Sequence, residues 1–266
     1  MIRKAKVQKK SWIREKAKAV FQQNFLRTKI LLVFAKYSIF AVSKNVSFTF
    51  AKMLTLQSFT FNPFSENTYI LYGAQGKAFL IDPGCAIHSE QVKLRDFIKE
   101  KGLTVEKILL THAHIDHVFG LQWACDTFAL PVHLHPNEQE VLELNPLDAR
   151  LFGFDFPEFD GDYVFVDEHT ILHLEDTPIT LRFVPGHSPG SVAFYIESQH
   201  KIISGDALFR RSIGRTDLYK GDYDQLLHSI RTQLLSLPDT TEVYSGHGAP
   251  TTIGEEKRLN PFLQIQ

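Results

Sequence analysis

The 266 residues include 44% hydrophobic residues, carry a formal net charge of -1 and have only two cysteines, Cys85 and Cys125. That is enough apolar chain for one sizeable core, and it excludes a disulfide framework, since neither cysteine stands in a Cys-x-x-Cys pair. It also excludes a transmembrane helix, because no run of about 18 uninterrupted apolar residues occurs.

The near-zero charge hides two large ones. Residues 1–52 hold 13 Lys and Arg against the single acid Glu15, a net +12, while residues 53–266 sum to -13. A split of that size marks a separate segment, and the boundary is placed near Met53. The most apolar stretch of this basic N-terminal extension, Ile30–Val42, is interrupted by Lys36, which at mid-span costs about 2.5–3.5 kcal/mol on insertion. Three readings stand: a presequence, a membrane-surface arm, or non-native sequence upstream of a start at Met53. The third is preferred, with 1–52 disordered or not native, because a regular strand pattern begins directly after that methionine.

From Leu54 the chain turns β-like. Leu54, Leu56, Phe59 and Phe61 lead to a turn at Asn62-Pro63. Thr68–Tyr72 and Lys77–Ile81 read as strands joined through Gly73 and Gly76, and Asp82-Pro83-Gly84 stops the second. Residues 88–101 carry helical spacing through Val92, Leu94, Phe97 and Ile98. Lys107–Leu110 is a short apolar strand of the kind that suits a sheet buried on both faces, and it feeds into Thr111–Gly120. A helix at 117–128, a strand at Pro131–Leu134 and a helix at 136–144 follow. Residues 145–162, rich in Phe, Asp, Gly and Pro, predict an irregular loop. The second half gives strands at 163–166, 171–174, 179–184, 191–196 and 201–204, a helix at 223–236 and a last strand at 242–245. The alternation predicts an α/β protein, with the chemistry on loops at strand ends.

The segment Thr111-His112-Ala113-His114-Ile115-Asp116-His117 concentrates three imidazoles and a carboxylate in six residues. Histidines two apart on an extended turn point to one side together. Asp116 and His117, being adjacent, diverge and serve a second centre. Imidazole nitrogen and carboxylate oxygen are ligand types that zinc accepts. His187 in Pro185-Gly186-His187-Ser188-Pro189-Gly190, Asp206 in Ser204-Gly205-Asp206-Ala207 and His247 in Ser245-Gly246-His247-Gly248 each stand at a predicted strand end beside glycine, where the backbone can turn tightly onto a site. Each alone has a plain structural reading, such as a turn or a helix cap. The four segments together point to one metal site. No Gly-x-Ser-x-Gly and no Gly-x-x-x-x-Gly-Lys occurs, so a serine elbow and a nucleotide loop are excluded.

Across about residues 54–262 these segments resemble the metallo-β-lactamase superfamily. The resemblance implies a fold, an αββα sandwich of two mixed sheets flanked by helices, where periodicity alone gives only α/β. It implies His112, His114 and His187 on a first metal, Asp116, His117 and His247 on a second, and Asp206 bridging. Asp116 and Asp206 would be the catalytic carboxylates, and Asp82 would support the ligand loop. The cofactors implied are two Zn2+, with iron or manganese as alternatives, activating a water toward a carbonyl.

Gly205-Asp206-Ala207-Leu208-Phe209 through Ser212-Ile213-Gly214-Arg215-Thr216-Asp217 looks like the short glyoxalase II-like branch, the hydroxyacylglutathione hydrolase-like enzymes. So do Asn62-Pro63-Phe64 with Glu66-Asn67-Thr68-Tyr69, Thr252-Ile253-Gly254-Glu255-Glu256 and Asn260-Pro261-Phe262. The resemblance implies a small-molecule thioester or ester as substrate. Full-length glyoxalase II adds a helical domain that helps bind glutathione, whereas 19 residues follow His247 here, so glutathione recognition does not carry over. Arg210, Arg211, Arg215 and Lys220 could meet an acidic substrate, but solvation or pairing with Asp217 and Asp222 is preferred. The main rival is a mononuclear iron persulfide dioxygenase of the same fold. A nuclease is disfavoured by the acidic body, and a non-catalytic binding protein by the intact ligand set. No nucleic-acid or membrane partner is expected, and the location expected is cytoplasmic.

Overall fold

The strands fall into two six-stranded sheets. The first has the order β1 (Thr55–Phe61), β2 (Glu66–Tyr72), β3 (Lys77–Ile81), β4 (Thr104–Leu109), β5 (Val132–Leu134), β6 (Tyr163–Phe165). Its first three strands pair antiparallel and the rest parallel. The second sheet starts from an edge formed by β14 (Thr251–Thr252) and β13 (Glu242–Ser245). It continues through β10 (Lys201–Gly205), β9 (Val192–Ile196), β8 (Thr177–Phe183) and β7 (Ile171–Leu174). Only β10 and β13 run parallel in it. A small hairpin of β11 (Leu208–Phe209) and β12 (Ser212–Ile213) stands apart. This computed structural model describes residues 53–264 except 152, 154 and 155. The basic segment 1–52, with its three readings, lies outside the described residues.

Period-two alternation of the strands explains the layers. Tyr69, Leu71, Phe79 and Ile81 point between the sheets and meet Ile179, Leu181, Val192, Phe194, Ile196 and Ile203 of the second sheet. Their neighbours Ile70, Ala78 and Leu80 face outward onto the helices through Leu94, Val118, Leu121 and Leu142. On the other side Ala193, Tyr195, Ile202 and Val243 face Leu226, Ile230, Leu234 and Ile253. Each central strand is therefore apolar on both faces, as strands covered by helices must be. The result is the αββα sandwich that the resemblance implied. Phe194 lies at the sheet–sheet seam and is fully buried. Phe194→Ala is expected to lower unfolding free energy by about 3–5 kcal/mol, read as a lower urea midpoint at an unchanged m-value.

Several local expectations shift. The strand expected at Lys107–Leu110 begins at Thr104, and the helix expected at 117–128 is two, Ile115–Val118 and Leu121–Phe128. The loop expected at 145–162 is helical at its start. A 3-10 turn Pro136–Glu138 leads into a helix, Gln139–Leu151, that runs through Pro146. Proline costs that helix one backbone bond, but Val141, Leu142 and Ala149 are buried along it, and the buried Asn145 side chain donates to Ala113 O at 2.9 Å. Tertiary anchoring thus overrides the local breaker. The helix expected at 223–236 is α over Tyr223–Ser229 and π over Ile230–Leu234. A helix at Ile253–Leu259 was not expected, although Thr252 caps it by accepting from Glu255 N, the Thr-x-x-Glu signature.

Candidate metal centre

The seven side chains singled out in the sequence converge from the ends of both sheets. His112 and His114 follow β4, and His114 stands at the N-cap position, without a side-chain capping bond, of the short helix that carries Asp116 and His117. His187 lies between β8 and β9, Asp206 follows β10, and His247 follows β13. The ligand atoms of His112, His114 and His187 lie within 4.8 Å of one another, as do those of Asp116, His117 and His247, and of His112, His117 and Asp206. The Asp206 carboxylate lies between the two trios. Its oxygens are 3.6 Å from His187 Nε2, 3.4 Å from His117 Nε2 and 3.4 Å from His247 Nε2. Asp116 Oδ2 is 3.0 Å from His247 Nε2.

Asp82, at the end of β3, anchors the loop. Its backbone sits in the left-handed region (φ 49°), where a short polar side chain is tolerated. From there Oδ1 accepts from Thr111 N at 2.7 Å, and Oδ2 accepts from Thr111 Oγ1 at 2.6 Å and from His117 Nδ1 at 3.1 Å. Asn62 donates to Gly84 O and Asp116 O, tying that turn to the ligand helix. Asn67 donates to Ser245 O and Gly248 O, holding the His247 loop. Gly246 is required by space: a Cβ there would run into the Asp206 carboxylate and the His117 ring.

These anchors decide which nitrogen of each imidazole faces inward. His187 Nδ1 donates to Arg215 O at 2.7 Å, and His247 Nδ1 donates to Phe64 O at 3.1 Å. His117 Nδ1 is committed to Asp82. Thr111 Oγ1, its proton given to Asp82, accepts from His112 Nδ1 at 3.1 Å. With these outer bonds made through one nitrogen, four of the five rings, when neutral, have the other nitrogen free to present a lone pair to the cage. That is the outer hydrogen bonding a metal-ligating histidine needs. Inside, His187 Nε2 is 2.9 Å from His114 Nδ1 and 3.2 Å from His112 Nε2, and His117 Nε2 and Asp206 Oδ1 are buried without a hydrogen-bond partner. Imidazole nitrogens and carboxylate oxygens crowded this closely fit a pair of divalent cations.

The charge balance agrees. Burial drives His112 and His187 downward and His114 to about 3, so the first trio is neutral. Burial also opposes charge on His117 and His247, but the Asp116 and Asp206 carboxylates outweigh it. They raise His117 well above the usual imidazole range and His247 to about 10. Burial would raise Asp206 and Asp116, yet His117 and its neighbours hold both below the ordinary carboxylate value. The second half of the cage thus calls for positive charge.

Glu138 was not singled out by its sequence. Fully buried, it accepts from Ala113 N at 2.7 Å, from Ser188 Oγ at 2.6 Å and from Gly190 N at 2.6 Å. It thereby ties the His112–His114 loop to the His187 loop. Burial pushes its carboxyl upward, and the three donors pull it back. The cage opens into a cavity of about 640 Å³ lined also by Phe64, Val141, Leu144, Phe209, Ile213 and Leu218. Of the four basic residues noted in the sequence only Arg215 lines this cavity, and it pairs with Asp217 through two hydrogen bonds. Lys220 pairs with Glu140, and Arg211 with Glu256. Asp222 instead caps the helix Tyr223–Ser229.

The family model described as metallo-beta-lactamase superfamily matches residues 61–247. The chain is 40% identical over 203 residues to the probable metallo-hydrolase YqgX of Bacillus subtilis, spanning 76% of this chain and 93% of that protein. It is 38% identical over 204 residues to the hydroxyacylglutathione hydrolase GloC of Haemophilus influenzae, spanning 75% and 93%. Two solved structures superpose well. One is the B3 metallo-beta-lactamase BLEG-1, with a TM-score of 0.73 at 38% identity, covering 79% of this chain and 100% of that one. The other is TTHA1623 in a di-iron-bound form, with a TM-score of 0.70 at 40% identity, covering 78% and 100%.

Proposed function

The chain belongs to the metallo-β-lactamase superfamily, and from that premise we propose that it is a dinuclear metal-dependent hydrolase of thioesters. The observation that carries the reading is the cage itself: seven imidazole and carboxylate side chains brought together at the floor of an open cavity. His112, His114 and His187 would hold one ion and Asp116, His117 and His247 the other, with Asp206 between them. Zn2+ is the preferred ion; a 40% identical relative solved in a di-iron-bound form keeps iron as the alternative. Bound there, two such ions supply a hydroxide at neutral pH and polarise a carbonyl.

The rest of the work falls to the chain. Asp116 and Asp206 turn carboxylate oxygens toward the cavity, where they accept the protons of a water and orient it. The apolar wall excludes competing solvent. A thiolate, whose conjugate acid has a pKa of about 8.5, departs without a proton, whereas a lactam or amide nitrogen needs one. Outside the cage, the cavity's donors are committed elsewhere: Asn145 to Ala113 O, Ser212 to Ile213 O, Arg215 to Asp217 and Tyr219 to Glu140. That favours a thioester over a lactam, in line with the 38% identical relative GloC. Convergence of the second trio, Asp116, His117 and His247, favours a metal pair over the mononuclear dioxygenase.

Purified protein is expected to carry about two metal equivalents per chain, to lose thioester hydrolysis on chelation and to regain it with Zn2+. A single iron with oxygen uptake on a persulfide would replace this reading with the dioxygenase, and faster turnover of a β-lactam than of any thioester would replace it with a lactamase. Removing residues 1–52 is expected to leave kcat/KM unchanged, because the seven cage residues and their anchors all lie at or beyond Asn62. A large loss of turnover in that truncation would make the basic segment part of the enzyme. Among the described residues no helix is long and apolar enough to cross a membrane. The body's net -13 disfavours a nucleic-acid partner, and the two buried free cysteines fit a reducing cytoplasm.

A further inference from the structure

Resting on the hydrolase reading, we propose that the cavity selects thioesters with an uncharged, apolar acyl chain on an uncharged thiol carrier, and that Asp217 enforces the second choice by occupying Arg215. The wall beside the cage is built from Phe64, Leu144, Phe209 and Leu218, with Val141 and Ile213 behind. It is continuous with the cage: Phe64 accepts the His247 Nδ1 proton through its carbonyl, and the Phe209 ring meets the His247 ring edge-on at 6.1 Å. At about 640 Å³ the cavity is of a size that takes ligands much larger than a two- or three-carbon hydroxyacyl group. A small polar acyl group would leave most of that apolar surface wet, and a longer chain would cover it.

Among the described residues, the lining offers an anionic carrier no unpaired Lys or Arg. Arg215 is the one Lys or Arg lining the cavity among the described residues, and its guanidinium meets the Asp217 carboxylate at 2.6 and 2.7 Å, fork to fork. A substrate carboxylate would have to displace a competitor tethered two residues away. Lys220 and Arg211 stand outside the lining and are engaged with Glu140 and Glu256. The uncharged wall and the paired guanidinium disfavour the same substrates: acyl groups carried on an anionic tripeptide thiol such as glutathione.

The test compares acetyl, butanoyl and hexanoyl thioesters of N-acetylcysteamine with the same acyl groups on glutathione, using the metal-replete full chain. Binding of the matching non-hydrolysable S-alkyl thioethers is measured in parallel by calorimetry. On the neutral carrier, kcat/KM and affinity are expected to rise about fourfold per methylene buried. The glutathione series should be weaker at every length. Asp217→Asn should shift the ratio toward glutathione by freeing Arg215, and Leu144→Asn should flatten the chain-length series. A flat series, or wild-type preference for glutathione with no response to Asp217→Asn, overturns the inference. Graded thioether binding without hydrolysis of any thioester would sink the hydrolase reading instead and leave the selectivity of the cavity standing.

Discussion

Asp206→Ala is expected to reduce thioester turnover by at least about 10²–10³-fold, the loss that follows removal of one preorganised electrostatic group, and to lower bound metal below two equivalents. Asp206 faces both trios, with His187 on one side and His117 and His247 on the other. On the proposed reading its loss would remove a carboxylate donor from each. The fold should survive, because the carboxylate oxygens face cage imidazoles and not backbone amides. Near-normal activity in a metal-checked Asp206→Ala protein, or a full complement of two ions, would remove the bridging role.

Glu138→Ala should damage stability and metal binding together. Three buried donors, Ala113 N, Ser188 Oγ and Gly190 N, lose their acceptor, and each unsatisfied buried group costs about 1–3 kcal/mol. A loss of roughly 3–6 kcal/mol follows once partial relaxation is allowed for. Metal affinity should fall about 10–100-fold, as when an outer partner of a metal ligand is removed, because the loops bearing His112, His114 and His187 are no longer tied together. Equilibrium unfolding and a competitive chelator titration measure the two effects. Destabilisation with unchanged metal affinity would make Glu138 a packing residue only.

What the chain disclosed in advance followed from where its information sits. The seven cage residues were legible because four occupy six consecutive positions and the others stand beside glycines at strand ends. The strands were legible because burial on both faces writes them as apolar runs such as Ala78–Ile81 and Val192–Ile196. Glu138 was not, since its partners lie 25 to 52 residues away and Pro-Asn-Glu before a helix has many readings. The helix through Pro146 was hidden because packing of Val141, Leu142 and Ala149 opposed a correct local rule. The β11–β12 hairpin has two residues per strand, too few for periodicity to register. The cavity wall was invisible because Phe64, Leu144, Phe209 and Leu218 come from four separate segments with no shared pattern.

The cage draws His112, His114, Asp116 and His117 from one sheet and His187, Asp206 and His247 from the other. Ions seated in it would act as a rivet through the seam of the sandwich. A free ion concentration 1,000 times the dissociation constant adds about 4 kcal/mol to the resistance of the folded state against unfolding. Stripped of ions, the molecule should lose that margin, so metal supply would govern its lifetime against proteases as well as its turnover.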